Sequence, residues 1–320
     1  LAGTDPFAYA ALDPVRLVDP SGMYQEDIHF YMIYFLARVS GLNERTALTV
    51  AQASQFVDDN PATQPLPYTD DPLLSIPLQP SRLSSYHITQ ENQDPVQQAG
   101  ESNIDYALRR VLNPENPRLR ILLSYANGNL RTSENPTGVS PCARAQLFGE
   151  YLHAFADTFA HRDNLNAPFG VNAGFGHALF GSNPDFTFNN TALTRLQPPT
   201  LAPLTVYYGL NEYRTLEMER AVMGEIQRNF GTVGIDTSGM PITFQSVEPL
   251  LRAFNATAEA GGCGRSTCWP QKLALLDQSL QQLGMGNLPT YDSRSARLSR
   301  QTSLRDLSSA TYPGAILQTP

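Results

Sequence analysis

The sequence predicts a mostly α fold, and three observations carry that prediction. Apolar residues recur at helical spacing in long segments such as "DIHFYMIYFLARVSG". Those segments start at capping residues and stop at Gly or Pro, as at Gly41 and Asn60-Pro61. Strand-like alternation is scarce.

Taken in chain order, residues 1–22 stand apart. "LAGTDPFAYAALDPVRLVDPSG" is dense in Pro, Gly and Asp, with turn dipeptides at Asp5-Pro6, Asp13-Pro14 and Asp19-Pro20. The first helix then runs to Gly41, and a second follows in "NERTALTVAQASQFVDDNP", with Asn43 as its N-cap. Residues 61–100 are rich in Pro and Gln and form a long irregular excursion that includes His87. A loop of that length is a candidate site wall. Helical patterns return at 101–112, 117–127 and 142–162, and a Gly/Asn/Phe-rich loop spans 163–200. Further helices are expected near 211–230, 247–259 and 271–283. From 288 to 320 the chain reads as a poorly ordered Ser/Arg-rich tail, and residues 23–287 as one all-α domain.

Bulk properties exclude some roles. A net charge of −8 gives no basic excess to neutralise phosphates over a broad surface, although a local strand-binding groove stays open. The longest apolar stretches fall short of the roughly 20 residues that a spanning helix needs, so no transmembrane segment is expected. No signal peptide is visible, and Leu1 stands where an initiator Met would, as in a fragment of a longer chain. Cys263 and Cys268 in "GGCGRSTCWP" form either a small loop disulfide or two free thiols. They do not suit a zinc knuckle, since no Cys or His follows them. A phosphate loop, a dinucleotide fingerprint and a GxSxG elbow are all missing from the sequence.

The chemistry-bearing residues centre on "HAFADTFAHRD", where His153, Asp157 and His161 fall at four-residue intervals. Each step drifts only about 40° around a helix, so the three form one stripe. Eight residues rise about 12 Å, too far for one ion to bind both ends. Asp157 can instead bridge two ions, one per histidine, in the arrangement used for phosphate-ester hydrolysis. Imidazole and carboxylate ligands suit Zn²⁺. His29, His87, His177 and Asp185 complete the candidate metal ligands, and Asp58 or Asp59 in "QFVDDN" is the candidate base for a bound water. The plain alternative is a set of core histidines in a hydrogen-bonded network, and Glu212 and Glu217 read by default as solvated helix-face residues.

Two resemblances sharpen this. "DPFAYAALDPVRLVDPSGM" resembles the end of the RHS-repeat core of bacterial polymorphic toxins, with Leu12-Asp13 in place of the usual Asn-Asn. That resemblance implies effector cargo from about Met23, an RHS shell and a cognate immunity protein as partners, and Asp19 as a candidate in autoproteolysis. It also implies secretion or delivery into a target cell. "HAFADTFAH", with an early-helix histidine and a downstream "GH", resembles the zinc-dependent phospholipase C and S1/P1 nuclease superfamily. A closer likeness is to an uncharacterised bacterial family with motifs at His29–Gly41, Ala47–Asp59, Tyr86-His87 and Leu152–His177. The superfamily likeness implies an all-α metallohydrolase with two or three Zn²⁺ and Asp157 as bridging ligand. His161, four residues after Asp157, departs from the superfamily spacing. In related phospholipases the mature N-terminal amine is a ligand. Cleavage after Met23 would make Tyr24 such a terminus, and otherwise Glu26 or Asp27 would take that place. Phospholipid is the expected substrate, favoured by the acidic chain and its Phe/Tyr-rich loops. The alternatives are a nuclease of the same superfamily, with Trp269 stacking bases, and a non-enzymatic module stapled by metal.

Overall fold

In a computed structural model the structure describes residues 26–60, 63, 86, 96–102, 105–106, 117–127, 140–160, 162, 187, 192–195, 204–207, 211–230, 242–257 and 269–305. The described part is mostly helical. A π-helical turn, Asp27–Met32, runs directly into α1 (Ile33–Val39). There follow α2 (Glu44–Asp59), α3 (Pro117–Ala126), α4 (Pro141–Ala160), α5 (Asn211–Phe230), α6 (Phe244–Ala256), α7 (Trp269–Gln282) and α8 (Ser293–Ser303). Between α4 and α5, β1 (Ala192–Arg195) and β2 (Leu204–Tyr207) pair antiparallel, with Ala192 opposite Tyr207. That ribbon was not expected from the sequence.

The π-turn and α1 form the central rod. Every residue from Asp27 to Val39 is buried, including Phe30, Met32, Phe35 and Leu36. A helix apolar all round belongs inside a protein rather than on its surface. It ends at Gly41, whose φ of 97° is the left-handed conformation glycine adopts without a Cβ penalty. Arg38 fixes this end by donating from Nη1 to the Leu42 carbonyl and from Nη2 to the Met285 carbonyl, both at 2.8 Å. Asn43 then caps α2 as expected, its Oδ1 accepting from the Thr46 N–H at 2.9 Å.

The tightest packing is α2 against α4, and Gly149 makes it so. A Cβ on Gly149 would stand 2.2 Å from the Val50 carbonyl oxygen and 2.6 Å from the Ala53 Cβ. Only a hydrogen fits between these backbones. One turn further along each helix lie Asp58 and His153, so this close approach brings those two side chains together.

Three sequence expectations change. Helix α6 starts at Phe244 rather than 247, because the Thr243 N–H donates to Ser246 Oγ at 3.2 Å and organises an earlier first turn. The segment expected to be a poorly ordered tail carries α8, which packs on α2 and α4. Its Asp292 caps the helix through the Ser295 N–H at 3.1 Å, and its buried Arg300 donates from Nε to Glu150 Oε1 at 2.8 Å. Trp269, expected to be available for stacking on bases, is buried at the start of α7, edge-on to Tyr31 at 6.4 Å. No helix among the described residues is long and apolar enough to cross a membrane. The RHS-like segment 1–22, the Met23 junction and the Cys263/Cys268 pair lie outside the described residues.

Candidate metal centre

Three elements deliver four side chains to one buried point. The π-turn supplies His29, the C-terminal turn of α2 supplies Asp58, and α4 supplies His153 and Asp157. A π-turn inserts an extra residue into a helix and is frequent at functional sites. His29, His153 and Asp157 are fully buried, and the Asp58 side chain is 5% exposed.

The geometry is compact. Asp157 divides its carboxylate between the two imidazoles: Oδ1 lies 3.1 Å from His29 Nε2, and Oδ2 lies 3.3 Å from His153 Nε2. Asp58 Oδ1 lies 3.4 Å from the same His153 nitrogen. The two rings are 4.0 Å apart between centroids and tilted by 30°. One ligand atom from each of His29, Asp58 and His153 falls within 4.8 Å of the others, so this group could hold a metal ion.

Spacing and charge both bear on whether an ion fits. A tetrahedral ion with ligands at about 2.1 Å separates neighbouring ligand atoms by about 3.4 Å. The contacts from His153 to Asp58 and Asp157 already have that length. In addition, two carboxylates out of water face two imidazoles, and burying ionised carboxylates is expensive unless positive charge compensates them. Protons on the histidines or a divalent cation would supply it.

The remaining candidates divide cleanly. The helical stripe places Asp157 between two histidines, and among the described residues the histidines beside it are His153 of its own helix and His29 from a distant segment. His87, His161, His177 and Asp185 lie outside the described residues. Asp59 turns away from its neighbour Asp58: exposed on the far side of the same helical turn, it accepts a hydrogen bond from the Tyr291 hydroxyl at 2.5 Å. Burial, and then the charge of Asp59, push the Tyr291 phenol up, so it stays a donor to that carboxylate. Asp27 does not join the cluster either, because its carboxylate accepts from Lys272 Nζ at 2.6 Å. Glu212 pairs with Arg252 at 3.1 Å and Glu217 with Arg220 at 3.5 Å, on the outer side of α5.

Lys272 escaped the sequence reading. Buried in α7, it also donates to Thr187 Oγ1 at 3.0 Å and lies 4.5 Å from the Phe254 ring centroid. It tethers the first residue of the π-turn, two positions before His29. A lone Lys in an amphipathic helix reads as solvated, and no local signal marks it. Gly149 is different: a glycine one helical turn before His153 in "FGEYLH" is a legible sign of close packing.

Compared with known proteins, residues 24–111 match a family of unknown function (DUF6765). That span contains His29, Asp58, Asp59 and His87 and ends before α4. No curated protein and no solved structure matches the chain.

Proposed function

We propose that this chain is a metal-dependent phosphoric ester hydrolase with Zn²⁺ at the His29–Asp58–His153–Asp157 centre. The observation that carries the reading is the Asp157 carboxylate shared between two buried imidazoles, with Asp58 completing the donor set. His₂-carboxylate sets are a zinc chemistry, and bound zinc lowers the pKa of a coordinated water to about 7. In this reading His29, His153, Asp58 and Asp157 are ligands. Asp59, the other candidate base, is engaged by Tyr291 on the opposite side of the turn and has no part at this centre. Further ions, with His87, His161, His177 or Asp185 as ligands, belong to the same proposal. Phospholipid is the preferred substrate. The biological setting that the RHS-like segment supports is a toxin effector, delivered from a larger bacterial protein and held in check by an immunity protein.

Full burial of His29, His153 and Asp157 favours a second reading, in which a coordinatively saturated ion staples the π-turn to α2 and α4. Metal analysis of the purified chain, followed by phospholipid and nucleic-acid hydrolysis with and without chelator, separates the two. The hydrolase requires at least one equivalent of metal, lost in His153→Ala, and chelator-sensitive turnover of a phosphodiester. Metal without turnover on either substrate leaves the staple. Less than one equivalent, unchanged by His153→Ala, sinks both.

A further inference from the structure

On the outer side of the turn that carries Asp58, α2 and α8 enclose an open groove of about 490 Å³. Phe56 and Asp59 line it from α2, and Arg294, Arg297, Leu298 and Gln301 line it from α8. Those four α8 residues stand at i, i+3, i+4 and i+7, so a single helix face presents them together. The opposite face holds the helix down through buried Ala296 and the Arg300–Glu150 pair. The groove wall is therefore a fixed element rather than a loose basic tail.

Its chemistry is specific. Both guanidiniums are exposed, and neither makes a hydrogen bond or ion pair through its side chain among the described residues. The Arg294 backbone N–H donates to Asp292 Oδ1 at 3.3 Å, while its guanidinium acts on that carboxylate only through space. The one carboxylate lining the groove, Asp59, already accepts from Tyr291. Two planar donors against one engaged carboxylate leave the groove cationic in a chain whose net charge is −8. Guanidinium forks match the paired oxygens of a phosphate ester. Leu298, 63% exposed beside them, adds an apolar contact that a bare polyanion would not use.

We propose that the α2–α8 groove is the recognition site for the phosphate of an amphiphilic phosphodiester, with Arg294 and Arg297 gripping the anion and Leu298 meeting the adjoining acyl portion. This rests on the hydrolase reading only for its purpose, because Asp58 and Asp59 put the groove and the candidate centre on two sides of one turn. The ligand class it selects is a phospholipid headgroup, and a soluble glycerophosphodiester shares the anion chemistry.

The test is calorimetric titration of the full chain with three probes: glycerophosphoglycerol, its dihexanoyl ester below the micelle concentration, and a thymidine dinucleotide. The dihexanoyl ester should bind saturably, and Arg294→Gln/Arg297→Gln should weaken it by about tenfold or more, the loss of charge-assisted hydrogen bonds. Leu298→Ser should cancel the advantage of the dihexanoyl ester over glycerophosphoglycerol. Equal binding of those two probes, still dependent on the arginines, upholds the anion site and assigns it to the soluble ester. Equal titration of wild type and the double arginine variant overturns the proposal, as does tighter binding of the dinucleotide. All three substituted side chains are exposed, so an unchanged thermal melt establishes that the variants fold. Running the same titrations on His153→Ala separates the two readings. Binding retained there locates the ligand in the groove whatever the fate of the hydrolase, and binding lost there but kept in the arginine variant places it at the centre and overturns the groove.

Discussion

His29 Nε2 lies 3.1 Å from Asp157 Oδ1, although one residue belongs to a π-turn near the start of the chain and the other to α4. An ion bound there would link the π-turn to α2 and α4 and would bind the folded chain alone. At a free metal concentration of about 100 Kd the stabilisation is about 2.7 kcal/mol. For a chain of this size that corresponds to a rise of about 4 °C in Tm. Thermal melts with Zn²⁺ and with chelator should therefore differ by that amount in wild type and coincide in His29→Ala. A wild type indifferent to both additions argues for a hydrogen-bonded histidine pair instead.

The α2–α4 crossing should tolerate no side chain at Gly149. A methyl there meets the Val50 carbonyl at 2.2 Å, and backbone cannot step aside as a flexible side-chain end can. Gly149→Ala should cost about 1–3 kcal/mol, the range for overpacking a tight core. The informative readout is metal content, because His153 and Asp58 lie one turn beyond the crossing. Spreading the helices should lower metal affinity more than a remote substitution of equal destabilisation, such as Val222→Ala in α5. Matched losses in the two variants would mean that the crossing does not set the centre.

How much of this could be read from the residues alone follows from the range of each interaction. Helices α1, α2, α4 and α5 were legible because their apolar periodicity and caps are local. The Asn43 cap is a case in which side chain and backbone partner are three residues apart. His153 and Asp157 were legible as a pair for the same reason, being one helical turn apart on one helix. That His29 would reach Asp157 depends on how the π-turn packs against α4, which no spacing records. Helix α8 was misread because its Ser/Arg composition is that of a solvated segment. What orders it is the Arg300–Glu150 contact, across half the chain. Asp58 and Asp59 looked equivalent in sequence. The 100° between successive helix residues sends one to the centre and the other to Tyr291 and the groove.

The Asp27–Lys272 pair should behave as a buried ion pair that is costly to break and cheap to replace. Lys272→Met leaves the Asp27 carboxylate buried without its cation, a loss in the range of about 3–5 kcal/mol. Asp27→Asn combined with Lys272→Met removes both charges and should recover most of it. A urea double-mutant cycle measures this, and additive losses in the double variant would show that the 2.6 Å contact carries no coupling.

Glu219 should make stability fall as pH rises above the carboxylate range. It is fully buried in α5, and its Oε2 accepts from Asn255 Nδ2 at 3.2 Å. Burial holds its carboxyl well above the usual range, opposed only in part by the Asn255 hydrogen bond and the charges of Lys272 and Arg252. The folded chain thus keeps a proton that the unfolded chain releases near pH 4.3. Between that value and the raised folded one, the folded state binds more protons, and stability declines by up to about 1.4 kcal/mol per pH unit. Below the window the group contributes no slope, and above it the loss is complete. Glu219→Gln keeps an acceptor for Asn255 but has no proton to lose. Its urea midpoint should fall less steeply with pH than that of wild type across the window, and the two proteins should converge at its acid end. Parallel curves would mean that Glu219 ionises in the folded chain as readily as in the unfolded one.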